Sequence, residues 1–154
     1  MAYRLGEAKD SLGHNTVYFQ QYRSLRRQDI NKPQPQKEFD KDLCSQLRHW
    51  RLDNYDIVLA IDANAGLDDP RINRIVSARD LCDILGSHHG IDSPSTFLHG
   101  TKTIDFLFGT RNVQRSVQRC SYLSFNDSIH SDHQGLWLGI NTIFFAIQTD
   151  VFSK

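Results

Sequence analysis

The chain has 154 residues, 39% of them hydrophobic, and its 18 basic and 18 acidic side chains balance to a formal net charge of zero. A chain of this length forms one domain with a single core, and neutrality excludes a global field for nucleic acid or a membrane while permitting a local basic patch. Three widely spaced cysteines without a paired motif predict reduced thiols in an intracellular protein, cytoplasmic or nuclear. The longest apolar-rich segment, 136–147, is too short and interrupted to span a bilayer, so we expect no membrane association.

Two helices are predicted in the first third of the chain. Asn15 is a suitable N-cap for a helix over 16–28, which the Pro-Gln segment 31–36 then ends. A second helix is predicted over 37–52. Its apolar residues recur at intervals of four, four and three, which places on one core-facing stripe Phe39, Leu43, Leu47 and Trp50.

Strands and one further helix are predicted in the rest of the chain. Five consecutive apolar residues, 57–61, lie between two acids and predict a strand buried on both faces. Pro70 and Gly86 bound a predicted helix over 71–85. Four more predicted strands are separated by polar, glycine-containing turns: 94–98, 103–109, 117–123 and 135–145. Helices followed by strands, arranged around one very apolar strand, predict a mixed α/β sandwich.

Polar side chains follow the first predicted strand directly. Asp62 and Asn64 are two residues apart, so they project from the same side of the strand end. The acid can hold a metal or orient a water, and the amide can donate to a phosphate oxygen without adding negative charge. The alternative is a turn in which Asn64 adopts a left-handed conformation before Gly66.

A second acid, Asp105, lies inside an otherwise apolar predicted strand. A buried carboxylate is costly unless it is paired, and an imidazole is a natural partner whose tautomer the pairing fixes. His133 is the candidate, because it follows Ser131 and Asp132 directly before the last predicted strand. An Asp and a His at a strand edge can hold a metal or a water and move a proton, although the same three residue types are also common in plain turns.

Two arginine clusters stand out against the neutral composition. The first comprises Arg23, Arg26 and Arg27, and the second, at helical spacing of four, comprises Arg111, Arg115 and Arg119. Each cluster is either a solvated helix face or a set of contacts to the phosphates of a nucleic acid.

Three motifs occur in a characteristic order: Asp-x-Asn after a strand, Ile-Asp-Phe-Leu on a strand, and Ser-Asp-His before a terminal strand. This series resembles the C-terminal part of the endonuclease/exonuclease/phosphatase superfamily, which includes abasic-site endonucleases, DNase I-like nucleases, endonuclease domains of non-LTR retrotransposons and inositol polyphosphate phosphatases. The resemblance covers about residues 2–140. It implies the C-terminal portion of a two-sheet α/β sandwich over 1–145, without its N-terminal strands, and a tail over 146–154. Segments 15–27 and 123–127 look most like domains found beside reverse transcriptases in retroelements.

The resemblance also implies an activity and a role for each motif residue. The reaction would be hydrolysis of a phosphodiester, in DNA rather than RNA, with Mg²⁺ or Mn²⁺ neutralising the phosphoryl oxygens. Asp62 would orient or deprotonate the attacking water, and Asn64 would bind the scissile phosphate. Asp105 would pair with His133, and His133 would contact the phosphate and stabilise charge in the transition state.

Two further roles, and several departures, follow from the same resemblance. Asp132 would belong to the metal-binding acids, and Tyr3 would touch a phosphate oxygen or the developing charge. The family's early Asn and its principal metal-binding Glu have no counterpart in the chain. Ile61, Thr103 and Gln134 stand where the family usually has Gly, Arg and Arg. We therefore expect weak or lost activity.

Two alternative functions remain open from the sequence. One is a non-catalytic, nucleic-acid-binding or interaction remnant that uses the arginine clusters, and the other is a phosphatase acting on inositol phosphates with the same catalytic residues. The missing strands would also leave apolar faces such as Phe106 and Phe108 with less to pack against and sheet edges open, which predicts a longer gene product, self-association or poor stability.

Overall fold

A computed structural model describes residues 17–77, 80–90, 93–126 and 131–142. Helices and strands alternate along most of this length, with a run of strands at the end. In chain order the elements are α1 Val17–Arg27, α2 Pro35–Leu52, β1 Val58–Asp62, α3 Pro70–Ser77, β2 Leu81–Asp83, α4 Ile84–His89, β3 Asp105–Thr110, α5 Arg111–Ser116, β4 Val117–Tyr122 and β5 Leu136–Ile140.

The strands form two small antiparallel sheets. Three strands pair in the order β1-β3-β2, and β4 pairs with β5 in a second sheet. The register of β1 on β3 sets Val58 opposite Gly109 at one end and Asp62 opposite Asp105 at the other. The fold is therefore mixed α/β, as the sequence predicts, and its two sheets are small.

The core has two parts, one on each face of β3, whose six residues are all buried. Side chains alternate along a strand, so Phe106 and Phe108 lie on one face and pack in a cluster with residues of α2 and α3, among them Leu47 and Ile75. Leu107 lies on the other face, in a cluster that includes residues of α4 and α5 and is flanked by apolar side chains of β4 and β5. Phe106 and Phe108 are only 3% and 1% exposed, so the expectation that they are under-packed is wrong.

The first two helix predictions are confirmed, with α2 beginning at Pro35, two residues earlier than expected. Leu47 is fully buried, and Phe39 and Leu43 pack against the same cluster. Trp50, the last residue of the predicted stripe, is 40% exposed because it lies in the last turn of α2, beyond the core.

The predicted helix over 71–85 is wrong in its second half. Helix α3 ends at Ser77, and Leu81–Asp83 forms β2, which pairs with β3. A new helix, α4, follows at once, and the side chain of Asp83 caps it by accepting from the backbone N–H of Gly86 at 3.0 Å. Pairing with β3 and a cap inside the segment override the boundary signals of Pro70 and Gly86, since tertiary contacts outweigh intrinsic preference.

Two strand predictions need correction. Strand β1 is not buried on both faces: Val58 is 47% exposed and Ala60 is exposed, because one face packs on the core and β1 pairs only with β3 within the described chain. The fully buried strand is β3. The predicted strand at 94–98 contributes a single bridge, between Phe97 and His133.

The remaining strand predictions agree with β3, β4 and β5 to within a few residues, and β5 ends at Ile140. The rest of the predicted last strand, 143–145, lies outside the described residues. All three cysteines are free, as expected. Among the helices in the described ranges, none combines the length and the apolar character needed to cross a membrane.

Candidate active site at the ends of β1 and β3

Two acidic residues meet where β1 ends and β3 begins. Asp62 is the last residue of β1, Asp105 is the first of β3, and the antiparallel register sets them directly opposite each other. Directly opposed residues in such a pair have Cβ atoms about 4.5–5.5 Å apart. Like charges this close repel, so the arrangement calls for a positive or hydrogen-bonding group between the carboxylates.

His133 supplies such a group. Its Nδ1 lies 2.9 Å from Oδ2 of Asp105, in a pair whose side chains are only 21% and 11% exposed. The pairing of Asp105 with His133 expected from the sequence is confirmed. Since Nδ1 is committed to Asp105, Nε2 is the ring nitrogen that remains for a ligand.

The segment 96–98 holds His133 in place. Phe97 bridges to His133, and their rings lie 5.2 Å apart between centroids. The backbone N–H of Leu98 donates to the carbonyl of Asp132, and the N–H of Gln134 donates to the carbonyl of Thr96, both at 2.8 Å. Backbone bonds on both sides of His133 therefore fix the position from which its side chain reaches Asp105.

Thr96 joins the two halves of the site. Its side chain is fully buried, and its Oγ1 accepts from the N–H groups of Ile104 and Asp105 at 2.9 and 3.0 Å. The same residue holds Gln134 through its carbonyl. Thr96 thus ties the start of β3 to the segment of His133. Sequence reasoning missed it, and its only signal was a place in a predicted strand whose residues otherwise look ordinary.

Asp62 and Asn64 form a compact turn after β1. Oδ1 of Asp62 accepts from the backbone N–H of Asn64 at 3.1 Å and from its side-chain Nδ2 at 2.8 Å. Asn64 has a φ of 47°, the left-handed conformation that Asn tolerates better than most residues. The turn that the sequence offered as the alternative is therefore present, and it brings the amide of Asn64 to the carboxylate of Asp62.

Several charges act on the imidazole of His133. Its burial lowers the pKa, but the hydrogen bond and charge of Asp105, together with the charges of Asp62 and Asp132, outweigh burial and raise the pKa above the ordinary value. The protonated form of His133 is thereby favoured. A partly exposed imidazolium beside two carboxylates can donate to an anionic ligand.

Asp62, Asp105 and His133 each offer one ligand atom, and these three atoms lie within 4.8 Å of one another. Carboxylate oxygens are donors that Mg²⁺ and Mn²⁺ accept, and imidazole is a donor for Zn²⁺ and other transition metals. Asp132 does not belong to this group. Its side chain is exposed. Its carbonyl accepts from the N–H of Leu98, and its charge contributes to the raised pKa of His133.

No family model and no curated protein matches this chain.

The other residues predicted for the site lie apart from the cluster or outside the described residues. Tyr3 is outside them. Arg111 and Arg115 lie on α5 but Arg119 lies on β4, so the expected single helix face is wrong. The helix ends at Ser116, where the chain turns into the second sheet. Arg111 forms an ion pair with Asp80, with Nε 2.9 Å from Oδ2.

The arginines of the first cluster lie in α1 and are exposed. The guanidinium of Arg23 lies over the ring of Phe19, 4.6 Å from its centroid. Nη1 of Arg26 donates to the carbonyl of Asn31 at 2.9 Å. These contacts leave an exposed basic end on α1.

Proposed function

We propose that this chain is a phosphodiesterase domain of the endonuclease/exonuclease/phosphatase type, which hydrolyses DNA phosphodiesters only weakly, with a divalent metal ion. The observation that supports this most directly is the Asp105–His133 pair at 2.9 Å beside Asp62. The three side chains come from separate parts of the chain, and the sheet register and the segment 96–98 bring them together. Such a set of acids and an imidazole suits proton transfer and charge stabilisation at a phosphate.

In this proposal His133 acts on the phosphate through Nε2. Asp105 fixes the ring orientation and favours the charged form, so the imidazolium donates to a phosphoryl oxygen as negative charge develops there. The raised pKa of His133 agrees with that role. Asp105 is almost fully buried, so it acts through His133 as a positioning residue.

Asp62 and Asn64 act on the other side of the reaction. The carboxylate of Asp62 orients the attacking water and accepts its proton. The Asn64 amide has two N–H donors, one of which bonds Oδ1 of Asp62, so the other is available for a phosphate oxygen. The hydrogen bond between the two side chains fixes the position of the water-orienting carboxylate relative to the phosphate-binding amide.

Mg²⁺ and Mn²⁺ bind carboxylate oxygens in preference to nitrogen or sulfur donors. Asp62 offers a carboxylate oxygen, which either ion accepts, whereas the imidazolium form of His133 has no lone pair for a metal. Asp62 would hold the ion, with water completing the coordination, because the carboxylate of Asp105 is bonded to His133. A bound ion would neutralise the phosphoryl oxygens during in-line displacement.

Cleavage assays on the full chain test the proposal. Supercoiled plasmid and an abasic-site duplex are incubated with Mg²⁺ or Mn²⁺, and nicked products are measured. We expect cleavage that EDTA abolishes and that His133→Ala or Asp62→Ala lowers by about 10²–10⁴-fold, the usual contribution of such groups. His49→Ala, which replaces an exposed histidine of α2, is the matched control and keeps the wild-type rate.

Two outcomes contradict the proposal. One is cleavage by His133→Ala at the wild-type rate, and the other is no cleavage of either substrate with either metal. An inositol polyphosphate in the same assay tests for a phosphatase. Release of phosphate from it, without DNA cleavage, would show that the substrate is a small phosphate ester and not DNA. Salt-sensitive DNA binding that persists in both variants, without cleavage, would support a binding module instead.

A further inference from the structure

A cleft of about 360 Å³ lies between α2 and α3, away from the candidate active site. Both helices cover the face of the first sheet that carries Phe106 and Phe108. Asp105 alternates with Phe106 along β3, so its side chain belongs to the opposite face. The side chains that line the cleft are Lys37, Asp40, Lys41, Cys44, Ser45 and Arg48 of α2 and Arg71, Arg74 and Ile75 of α3.

The positive charges of the cleft follow helical spacing on both of its walls. Lys37, Lys41 and Arg48 lie four and seven residues apart on α2, which places them along one side of that helix. Arg71 and Arg74 lie three residues apart on α3 and share a face in the same way. Two cationic stripes therefore face each other across one space.

Part of this charge is compensated and part is not. Arg71 forms a two-point contact with Asp69, at 3.1 and 2.9 Å, and Lys41 lies 3.5 Å from Glu38. Neither Arg48 nor Arg74 forms an ion pair with a carboxylate at any described position. The cleft therefore contains five cations and one carboxylate, that of Asp40, and an excess of positive charge remains on both walls.

Asp40 is the anionic group already inside the cleft. Its Oδ1 is buried and has no hydrogen-bond partner among the described residues. Burial raises the pKa of Asp40, Arg71 and Arg74 lower it, and Asp69 raises it, with a net increase. Burial therefore outweighs the two guanidinium charges at Asp40, and its Oδ1 is left without a donor, so this carboxyl group does not neutralise the cations of the cleft well.

We propose that the α2–α3 cleft binds a ligand with two linked phosphate groups, held chiefly by Arg48 and Arg74 from opposite walls. Guanidinium groups pair with phosphate through two parallel hydrogen bonds, and a space of about 360 Å³ admits a diphosphate with its first bound waters. A free diphosphate has its two phosphates on one bridging oxygen, and the phosphorylated end of a nucleic acid strand has a terminal phosphate and a phosphodiester separated by a sugar, but both offer phosphoryl oxygens to guanidinium groups. The site does not depend on the catalytic role of His133.

Binding of inorganic pyrophosphate to the full chain tests this site, measured by isothermal titration calorimetry with EDTA present so that metal binding does not contribute. We expect Arg48→Ala and Arg74→Ala each to weaken binding by about tenfold, the contribution of one hydrogen bond to a charged group. Asp40→Asn removes the competing negative charge at nearly constant shape, so we expect it to tighten binding. Arg51→Ala is the matched control, because Arg51 lies on α2 three residues beyond Arg48 but outside the cleft lining.

The same titration identifies the source of the phosphates. A 5′-phosphorylated oligothymidine that binds more tightly than both pyrophosphate and its unphosphorylated form supports a strand end, whereas tighter binding of pyrophosphate supports a small ligand. The proposal is overturned by the absence of pyrophosphate binding at millimolar concentration, or by equal loss of binding in Arg51→Ala and Arg74→Ala. Thermal unfolding of each variant confirms that the folded protein is titrated.

Discussion

Nδ1 of His133 lies 2.9 Å from Oδ2 of Asp105, although the two residues are 28 positions apart in the chain. Both belong to irregular or terminal positions, His133 before β5 and Asp105 at the start of β3. Strand pairing does not bring the two residues together, since β3 and β5 belong to different sheets. The segment 96–98 connects them, and this connection determines how the pair responds to substitution.

The first prediction concerns the pKa of His133. Asp105→Asn removes the nearest charge and weakens the hydrogen bond that raises this pKa, so the value falls. NMR titration of the His133 ring protons measures it. Asp132→Asn is the control, because Asp132 is exposed and its charge ranks below those of Asp105 and Asp62. A larger fall in Asp132→Asn than in Asp105→Asn would contradict the role given to the pair.

The pH dependence of stability follows from the same shift. Because the pKa of His133 is raised on folding, its protonation stabilises the folded state. That contribution is fully present below the unfolded value of about 6.5 and is lost as the pH rises through the folded value. His133→Gln should therefore destabilise most in mildly acidic solution and progressively less at higher pH. Urea unfolding across this range, with EDTA present, measures the difference.

An Asp105→Asn background provides the control for that measurement. Without the carboxylate, the additional His133→Gln change should produce a much weaker dependence on pH. A wild-type protein whose stability advantage over His133→Gln grows with rising pH would show that the pKa is lowered on folding, and would exclude the charged imidazole from the proposed mechanism.

Thr96 provides a test of how the site is built. Thr96→Val keeps the shape but leaves the N–H groups of Ile104 and Asp105 without their acceptor, which we expect to cost about 2–4 kcal/mol of unfolding free energy. Thr96→Ser keeps the oxygen and loses one methyl group, at a cost of about 1 kcal/mol. Urea unfolding compares the variants. Equal destabilisation by Val and Ser would show that packing, and not the hydroxyl oxygen, is what Thr96 contributes.

Substitutions of Asn64 separate its backbone conformation from its side chain. Asn64→Ala loses the bond to Asp62 and places a Cβ-bearing residue without a polar side chain in the left-handed region, so it should destabilise by about 1–2 kcal/mol. Asn64→Gly accepts this conformation and should be more stable than the Ala variant. Both should lose DNA cleavage, because both lack the amide. Wild-type cleavage by Asn64→Gly would limit Asn64 to a structural role.

Sequence patterns predicted those features that depend on neighbouring residues. The apolar stripe of α2, the end of α1 before the prolines and the turn at Asp62 and Asn64 each follow from local spacing or backbone preference. The Asp105–His133 pairing was predicted for a different reason. A buried acid needs a partner, and the Ser-Asp-His motif supplied a suitable one. Its proposed chemistry and family stay predictions.

Errors arose where contacts between distant segments decide the structure. Residues 81–83 carry no local sign of a strand, because the hydrogen bonds of β2 come from β3, and the only local signal of a break is the N-cap residue Asp83. The apolar run of β1 does not reveal that only one of its faces is covered, and the arginine spacing of 111, 115 and 119 does not reveal that α5 ends at Ser116.

By itself, the sequence determined the chemical types at the site, two carboxylates, an amide and an imidazole, because side-chain chemistry is independent of the fold. The tertiary structure decided which of them meet. Strand register set Asp62 opposite Asp105, and the buried Thr96 joined the start of β3 to the segment of His133. It also placed the helices α2 and α3 so that their basic stripes face one cleft. Contacts of this kind depend on packing between segments that are distant in the chain. The free energy of that packing comes from the burial of apolar surface, and no local sequence pattern shows which segments will pack together.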